Sequence, residues 1–289
     1  MKISTEINSA AKRIGEEKAI EYYARAGFDA WDFSMFRMCG YDWENKLYIE
    51  SNHPLAGSEC LKFARQLKAV GLDNGIVCNQ SHAPFPTVCP QIRSYFKRAI
   101  ECTAEAGGKI CIIHPDNDKS PEENAEMFEE LLPFAKEHGI KIALENMWNW
   151  DNEKDEACFA ACSTPESFRV HLDAVNDDLL VACVDLGHAE MRGLNTSAVQ
   201  MIKALGDKVQ ALHIHDNDRW HDSHQLPFTM EIDFAPIVKA LKEIGYKGYF
   251  TLEADRFLED YSDENIFDGI KIMANTAKKL ADMFENCNA

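Results

Sequence analysis

The feature that most constrains the fold is an alternation that runs the length of the chain. Short apolar or β-branched runs recur as KISTEI (2–7), AWDFSM (30–35), GIVCNQ (75–80), KICIIH (109–114), KIALEN (141–146), LVACVD (180–185), QALHIH (210–215) and YFTLEA (249–254). Between them lie amphipathic stretches with helix punctuation. EEKAIEYYARAG and PLAGSECLKFARQLKAVG each close on a glycine suited to a helix C-cap, and SPEENAEMFEELLPFAKEHG opens with Ser120 as N-cap and Pro121 at the first helical position. TPESFRVHLDAV, NTSAVQMIKALG, FAPIVKALKEIG and a stretch near 264–286 complete the set. Strands alternating with helices imply a parallel sheet. Even spacing over one chain without a Gly/Ser/Pro-rich linker favours a (β/α)8 barrel occupying 1–289 as one domain. An open doubly wound sheet is the competing reading, but it lacks its usual GxGxxG or Walker-type loop.

Composition narrows the ligand. Apolar residues make up 46% of the 289, enough for a substantial core, and the formal net charge is −18. That excess of carboxylates argues against broad binding to nucleic acid, which depends on phosphate neutralisation by Lys and Arg. A cation or a neutral polyol suits such a surface better. The N-terminus lacks the apolar core of a signal peptide, and no run is long enough to cross a bilayer. Ten cysteines are scattered through the predicted strands and helices, which points to reduced, buried thiols and a cytoplasmic setting. Cys158 and Cys162 form the closest pair, a weak zinc signal by themselves.

In a barrel the chemistry sits where the C-terminal strand ends meet, so the residues ending each run matter most. Strand two ends near Asp32, strand three leads to His82, and strand four to His114. Strand five ends in Glu145, strand six in Asp185 with His188, strand seven in His213 and His215, and strand eight in Glu253. A single polar residue at a strand end is ordinary. Buried carboxylates in such number require neutralisation, and a divalent cation held by Glu145, Asp185, His213 and Glu253 supplies it through mixed nitrogen and oxygen ligation.

The ordered set SHAPF, HPD, ALEN, VDLGHA, LHIHDND and TLEA resembles the xylose-isomerase-like TIM-barrel superfamily. That superfamily holds sugar and sugar-phosphate isomerases and epimerases, and also a zinc-dependent endonuclease acting at abasic sites in DNA. The resemblance to its ketose 3-epimerases implies a metal site of Glu145, Asp185, His213 and Glu253, with His188 and Arg219 as substrate contacts. Glu145 and Glu253 would also act as the catalytic acid–base pair, moving a proton next to a carbonyl through a cis-enediolate. Where those epimerases carry a glutamate six residues after the first metal ligand, this chain has the shorter Asp151. Trp148 and Trp150 lie in the same loop, as a sugar-packing face or as a lid or subunit contact that would make a homo-oligomer.

The endonuclease branch binds three zinc ions through further histidines. His82, His114 and Asp222 with His224 are candidates for them here, while in the epimerase reading His82 and His114 are substrate contacts. His215 stands in an outer shell or in an outer metal position. The expectation is therefore an enzyme using Mn, Co, Mg or Zn on a small sugar or sugar phosphate. A multi-zinc phosphodiesterase and a keto-polyol dehydratase or isomerase on the same site are the alternatives. A non-catalytic binding module is the weakest reading, since an open metal site among converging carboxylates favours chemistry.

Overall fold

A computed structural model describes residues 1–287. Its parallel strands are β1 (Ile3–Thr5), β2 (Ala30–Ser34), β3 (Val77–His82), β4 (Ile110–Ile112), β5 (Lys141–Glu145), β6 (Leu180–Asp185), β7 (Val209–His213) and β8 (Phe250–Leu252). β2 to β7 form a six-stranded sheet in chain order, and β1 pairs with β8. Single parallel bridges, Glu6 with Asp32 and Ile214 with Leu252, join that pair to the two edges of the sheet. Backbone bonds from Ile7 N to Asp32 O and from Ile214 N to Thr251 O mark the two seams. The parallel strands thus run as a ring.

One long helix follows each strand: α1 (Glu16–Ala26), α2 (Cys60–Asp73), α3 (Phe96–Ala106), α4 (Pro121–Glu137), α5 (Pro165–Val175), α6 (Ala198–Leu205), α7 (Phe234–Glu243) and α8 (Ile266–Asn286). Local chemistry explains the boundaries. Ser120 and Glu123 form a reciprocal capping box at the start of α4. Thr164, Ser197 and Asp233 cap α5, α6 and α7 through their side chains. The expected stop of α2 at Gly71 is corrected: the helix runs on to Asp73. Gly71 lies inside it, where a side chain would crowd Ile76 and the Trp31 indole, so packing rather than capping accounts for this glycine.

The principal apolar core fills the layer between strands and helices, with Trp31, Phe33, Phe96, Phe128, Phe168 and Phe250 among its buried members. Cys39, Cys60, Cys78, Cys89, Cys102, Cys111, Cys162 and Cys183 are buried and form no disulfides. Among the described residues no helix is long and apolar enough to cross a membrane. Two antiparallel hairpins rise over the C-terminal rim. One pairs Gly40–Asp42 with Leu47–Ile49 after β2, and the other pairs Asn149–Asp151 with Glu156–Cys158 after β5.

Candidate active site at the C-terminal rim

Register delivers the central residues. Asp185 pairs with His213 across β6 and β7, and Cys183 pairs with Glu145 across β6 and β5. Glu253 follows directly on β8. The donor atoms of Glu145, Asp185, His213 and Glu253 lie within 4.8 Å of one another, and all four residues are buried. His213 Nδ1 is 2.9 Å from Glu145 Oε1 and 3.3 Å from Glu253 Oε2.

A second group adjoins the first through a shared carboxylate. Glu145 Oε2 lies 3.1 Å from His114 Nε2 and 3.3 Å from His82 Nε2. The two imidazoles are themselves 2.9 Å apart. A third group, His188, His215, Asp222 and His224, lies on the other flank. Asp222 Oδ2 sits 3.2 Å from His188 Nε2 and 3.1 Å from His224 Nε2. His215 joins the inner and outer sets, with its Nε2 3.1 Å from Asp185 Oδ1 and 3.5 Å from Asp222 Oδ1. Its ring stacks on His224 with centroids 4.0 Å apart. A methyl group on Gly187 would overlap the His215 ring, so the glycine of VDLGH is needed for that approach.

The electrostatics divide the two inner glutamates. Burial opposes ionisation of Glu145, but the His213 and His114 imidazoles outweigh it and hold its carboxyl well below the usual range. Burial and the nearby Glu145 charge push Glu253 well above it, against the opposing pull of His213. His114 is pushed down to about 4 by burial, and Asp185 and Asp222 raise His188 to about 10 despite its burial. Asp185 Oδ2 and Asp222 Oδ1 are buried without any hydrogen-bond partner. Unsatisfied buried oxygens beside convergent imidazoles fit a divalent cation.

Other sequence candidates lie apart from these groups. Asp151 accepts backbone N–H bonds from Glu153 and Lys154 in its own hairpin turn and faces the Lys154 ammonium. Arg219 pairs with Glu190 at 3.3 Å and is partly exposed. Trp148 and Trp150 pack against Ala157, Met191 and Leu194, with the Trp148 ring centroid 6.4 Å from that of His188. Cys158 and Cys162 belong to none of the donor groups found among the described residues.

Three features escaped the sequence reading. Glu6, directly after β1, is buried at the same rim and its carboxylate accepts the Ser9 N–H. Burial, with the Asp255 charge adding to it, raises its pKa to about 7. Asp216 is buried and accepts N–H bonds from Asn217, Thr229, Met230 and Ile232 at 2.9 to 3.1 Å, tying down the loop that carries Asp222 and His224. Phe36 and Phe85 wall the His82 side, with ring centroids 4.8 and 5.7 Å from that imidazole.

The chain belongs to the xylose isomerase-like TIM barrel family, which it matches over residues 20–276. An uncharacterised protein of Methanocaldococcus jannaschii is 26% identical over 271 residues, covering 88% of this chain and 80% of that protein. Fructoselysine 3-epimerase of Escherichia coli O157:H7 is 25% identical over 129 residues, covering 45% of this chain and 44% of the enzyme. A D-tagatose 3-epimerase-like protein shares the fold with TM-score 0.69 at 21% identity, covering 98% of this chain and 99% of its own. A 3-keto-D-glucoside 4-epimerase from E. coli does so with TM-score 0.66 at 15% identity, covering 98% and 99%.

Proposed function

We propose that this protein is a divalent-metal-dependent isomerase or epimerase of a small sugar or sugar derivative. The observation that carries the reading is the convergence of two glutamates from β5 and the end of β8 on one imidazole, His213, with Asp185 beside them. Glu145, Asp185, His213 and Glu253 would hold the ion, and three carboxylates with one imidazole suit manganese, magnesium or cobalt. When bound, such an ion polarises a carbonyl and acidifies the adjacent C–H bond. Glu145 and Glu253 would then serve as the acid–base pair, one carboxylate taking the proton and the other, in its protonated form, delivering its own solvent-exchanged proton to the opposite face. His188, whose Nε2 pairs with Asp222, would orient substrate oxygens, and Phe36 and Phe85 would exclude water on the His82 side. Trp148, whose ring lies beside His188, would flank the substrate, and Arg219, now paired with Glu190, would contact it from the loop after β7. Eight buried thiols suit a reducing, cytoplasmic setting.

A second reading has its own support in the contiguity of the three donor groups. His82, His114 and Glu145 on one side, and His188, His215, Asp222 and His224 on the other, are richer in imidazole and suit zinc. A multi-zinc phosphodiesterase would use such a cluster. One experiment separates the readings: incubation with ketoses, ketose phosphates and keto-glycosides in deuterated water with Mn, Co, Mg or Zn. Deuterium entering one carbon next to the carbonyl supports the isomerase. Cleavage of an abasic oligonucleotide without any exchange supports the phosphodiesterase.

A further inference from the structure

The ring of strands is lined asymmetrically. On the β4 to β7 side its interior holds Ile112, Ala143, Val181, Cys183 and Ala211, the apolar filling usual in such barrels. The opposite side is polar. Ser4 Oγ donates to Asn79 Oδ1 at 2.7 Å, and Asn79 Nδ2 donates to Thr251 Oγ1 at 3.1 Å and to Gln80 Oε1 at 3.2 Å. Gln80 Nε2 donates in turn to Asp32 Oδ2 at 2.8 Å and to Leu212 O at 3.3 Å. The chain of amides ends at the Asp32 carboxylate, whose Oδ2 faces His213 Nε2 at 3.4 Å. Asp32 and His213 are fully buried, and neither Asp32 Oδ1 nor His213 Nε2 has a hydrogen-bond partner.

This arrangement bears on a tautomer. A neutral imidazole carries one N–H, and it ligates a cation only through the other nitrogen. Two carboxylates crowd Nδ1 of His213, Glu145 at 2.9 Å and Glu253 at 3.3 Å, and by themselves they favour placing the proton there. That tautomer cannot bind an ion at Nδ1. A carboxylate on the far side of the ring offsets the bias.

We propose that Asp32 is a positioning residue for His213. With an ion on the carboxylate side, the Asp32 carboxylate 3.4 Å away would accept a hydrogen bond from the Nε2 proton and leave the Nδ1 electron pair to the ion, while Gln80 fixes Asp32 from beneath. The inference rests on the reading of Glu145, Asp185, His213 and Glu253 as a metal site. Partners of this kind on metal-ligating histidines are worth about 10–100-fold in metal affinity.

The test is ion binding, read without turnover. Wild type, Asp32→Asn and Asp32→Ala are titrated with Zn²⁺ and Mn²⁺, with thermal unfolding of the metal-free proteins as a fold control. Long-range ¹H–¹⁵N spectra of the zinc-loaded wild type report the His213 tautomer. The expected result is an Nε2–H tautomer and affinity about 10–100-fold weaker in Asp32→Ala. Asp32→Asn, whose amide oxygen still accepts, should recover part of the loss. Wild-type affinity in Asp32→Ala, or a proton on Nδ1 in the loaded protein, overturns the proposal. If the alanine variant misfolds, the wild-type spectrum and Asp32→Asn decide: the Nδ1–H form, or asparagine affinity weaker than about 100-fold below wild type, counts against it. A wild type that binds no divalent ion defeats both this role and the metal reading. Ion binding that depends on Asp32 without any sugar exchange defeats the isomerase reading alone.

Discussion

The inner and outer donor groups differ in what holds them. Glu145, Asp185 and His213 are strand residues fixed by the register of β5, β6 and β7, and Glu253 follows immediately on β8. Asp222 and His224 sit instead on the loop after β7, and that loop is held by four backbone N–H bonds converging on the Asp216 carboxylate. The inner set is rich in carboxylate and the outer set in imidazole. The strand ladder thus builds the oxygen-rich centre, while the nitrogen-rich group takes His188 from the turn after β6, His215 from the end of β7, and Asp222 with His224 from the loop that Asp216 ties down. The two sets touch through His215 and Asp185, so what differs between them is the scaffold that carries the donors.

The largest effect is expected at the inner set. Glu145→Gln and Glu253→Gln should each slow deuterium exchange into the substrate by about 10²–10⁴-fold, measured by NMR, since each removes one arm of the acid–base pair. Exchange at the wild-type rate in either variant contradicts the pairing. Next comes the organiser of the outer loop. Asp216→Ala leaves four backbone donors without their charged acceptor and should cost about 4 kcal/mol in denaturant unfolding. Hydrogen exchange should rise in the segment 217–232 and not in β5 or β6; uniform protection throughout would show that the loop is held by something else.

Glu6 gives a smaller, pH-dependent effect. Its folded pKa, raised from 4.5 to about 7, means that the folded protein holds a proton the unfolded chain has released between those values. Stability from this group is present below about pH 4.5 and is lost as pH rises through 7. Glu6→Gln should remove that slope and leave the variant about 3 kcal/mol more stable relative to wild type at pH 8 than at pH 4, measured by thermal unfolding at both. The smallest effect is expected at Asp151. Its carboxylate is spent on its own turn, so Asp151→Ala should leave the exchange rate where it is; a large rise in KM would return Asp151 to the substrate.

The strand-borne part of this arrangement was legible because apolar periodicity locates strand ends and strand ends locate the rim. Glu145, Asp185, His213 and Glu253 could be picked out without knowing any long-range contact. Glu6 could not, because a lone glutamate in STEI reads as a solvent-facing residue of an alternating strand, and its burial depends on Asp32 and on the helix at Asn8–Ile14. Asp216 was hidden for a related reason: its partners at 229–232 lie thirteen to sixteen residues on. Arg219 follows the motif in spacing, yet it adopts a positive φ of 65° and turns to Glu190, a partner no spacing rule reveals. Asp151 has local partners that the motif spacing did not reveal, because NWD opens a hairpin and an aspartate there satisfies backbone N–H groups nearby.

The claim that the inner set is an independent ion site is tested most directly by metal content. Glu253→Gln and His224→Ala are dialysed side by side with wild type against limiting Mn²⁺, and bound metal is counted by elemental analysis. The account predicts that His224→Ala retains the tightly held ion and that Glu253→Gln loses it. Loss of all bound metal in His224→Ala, or full retention in Glu253→Gln, would contradict it.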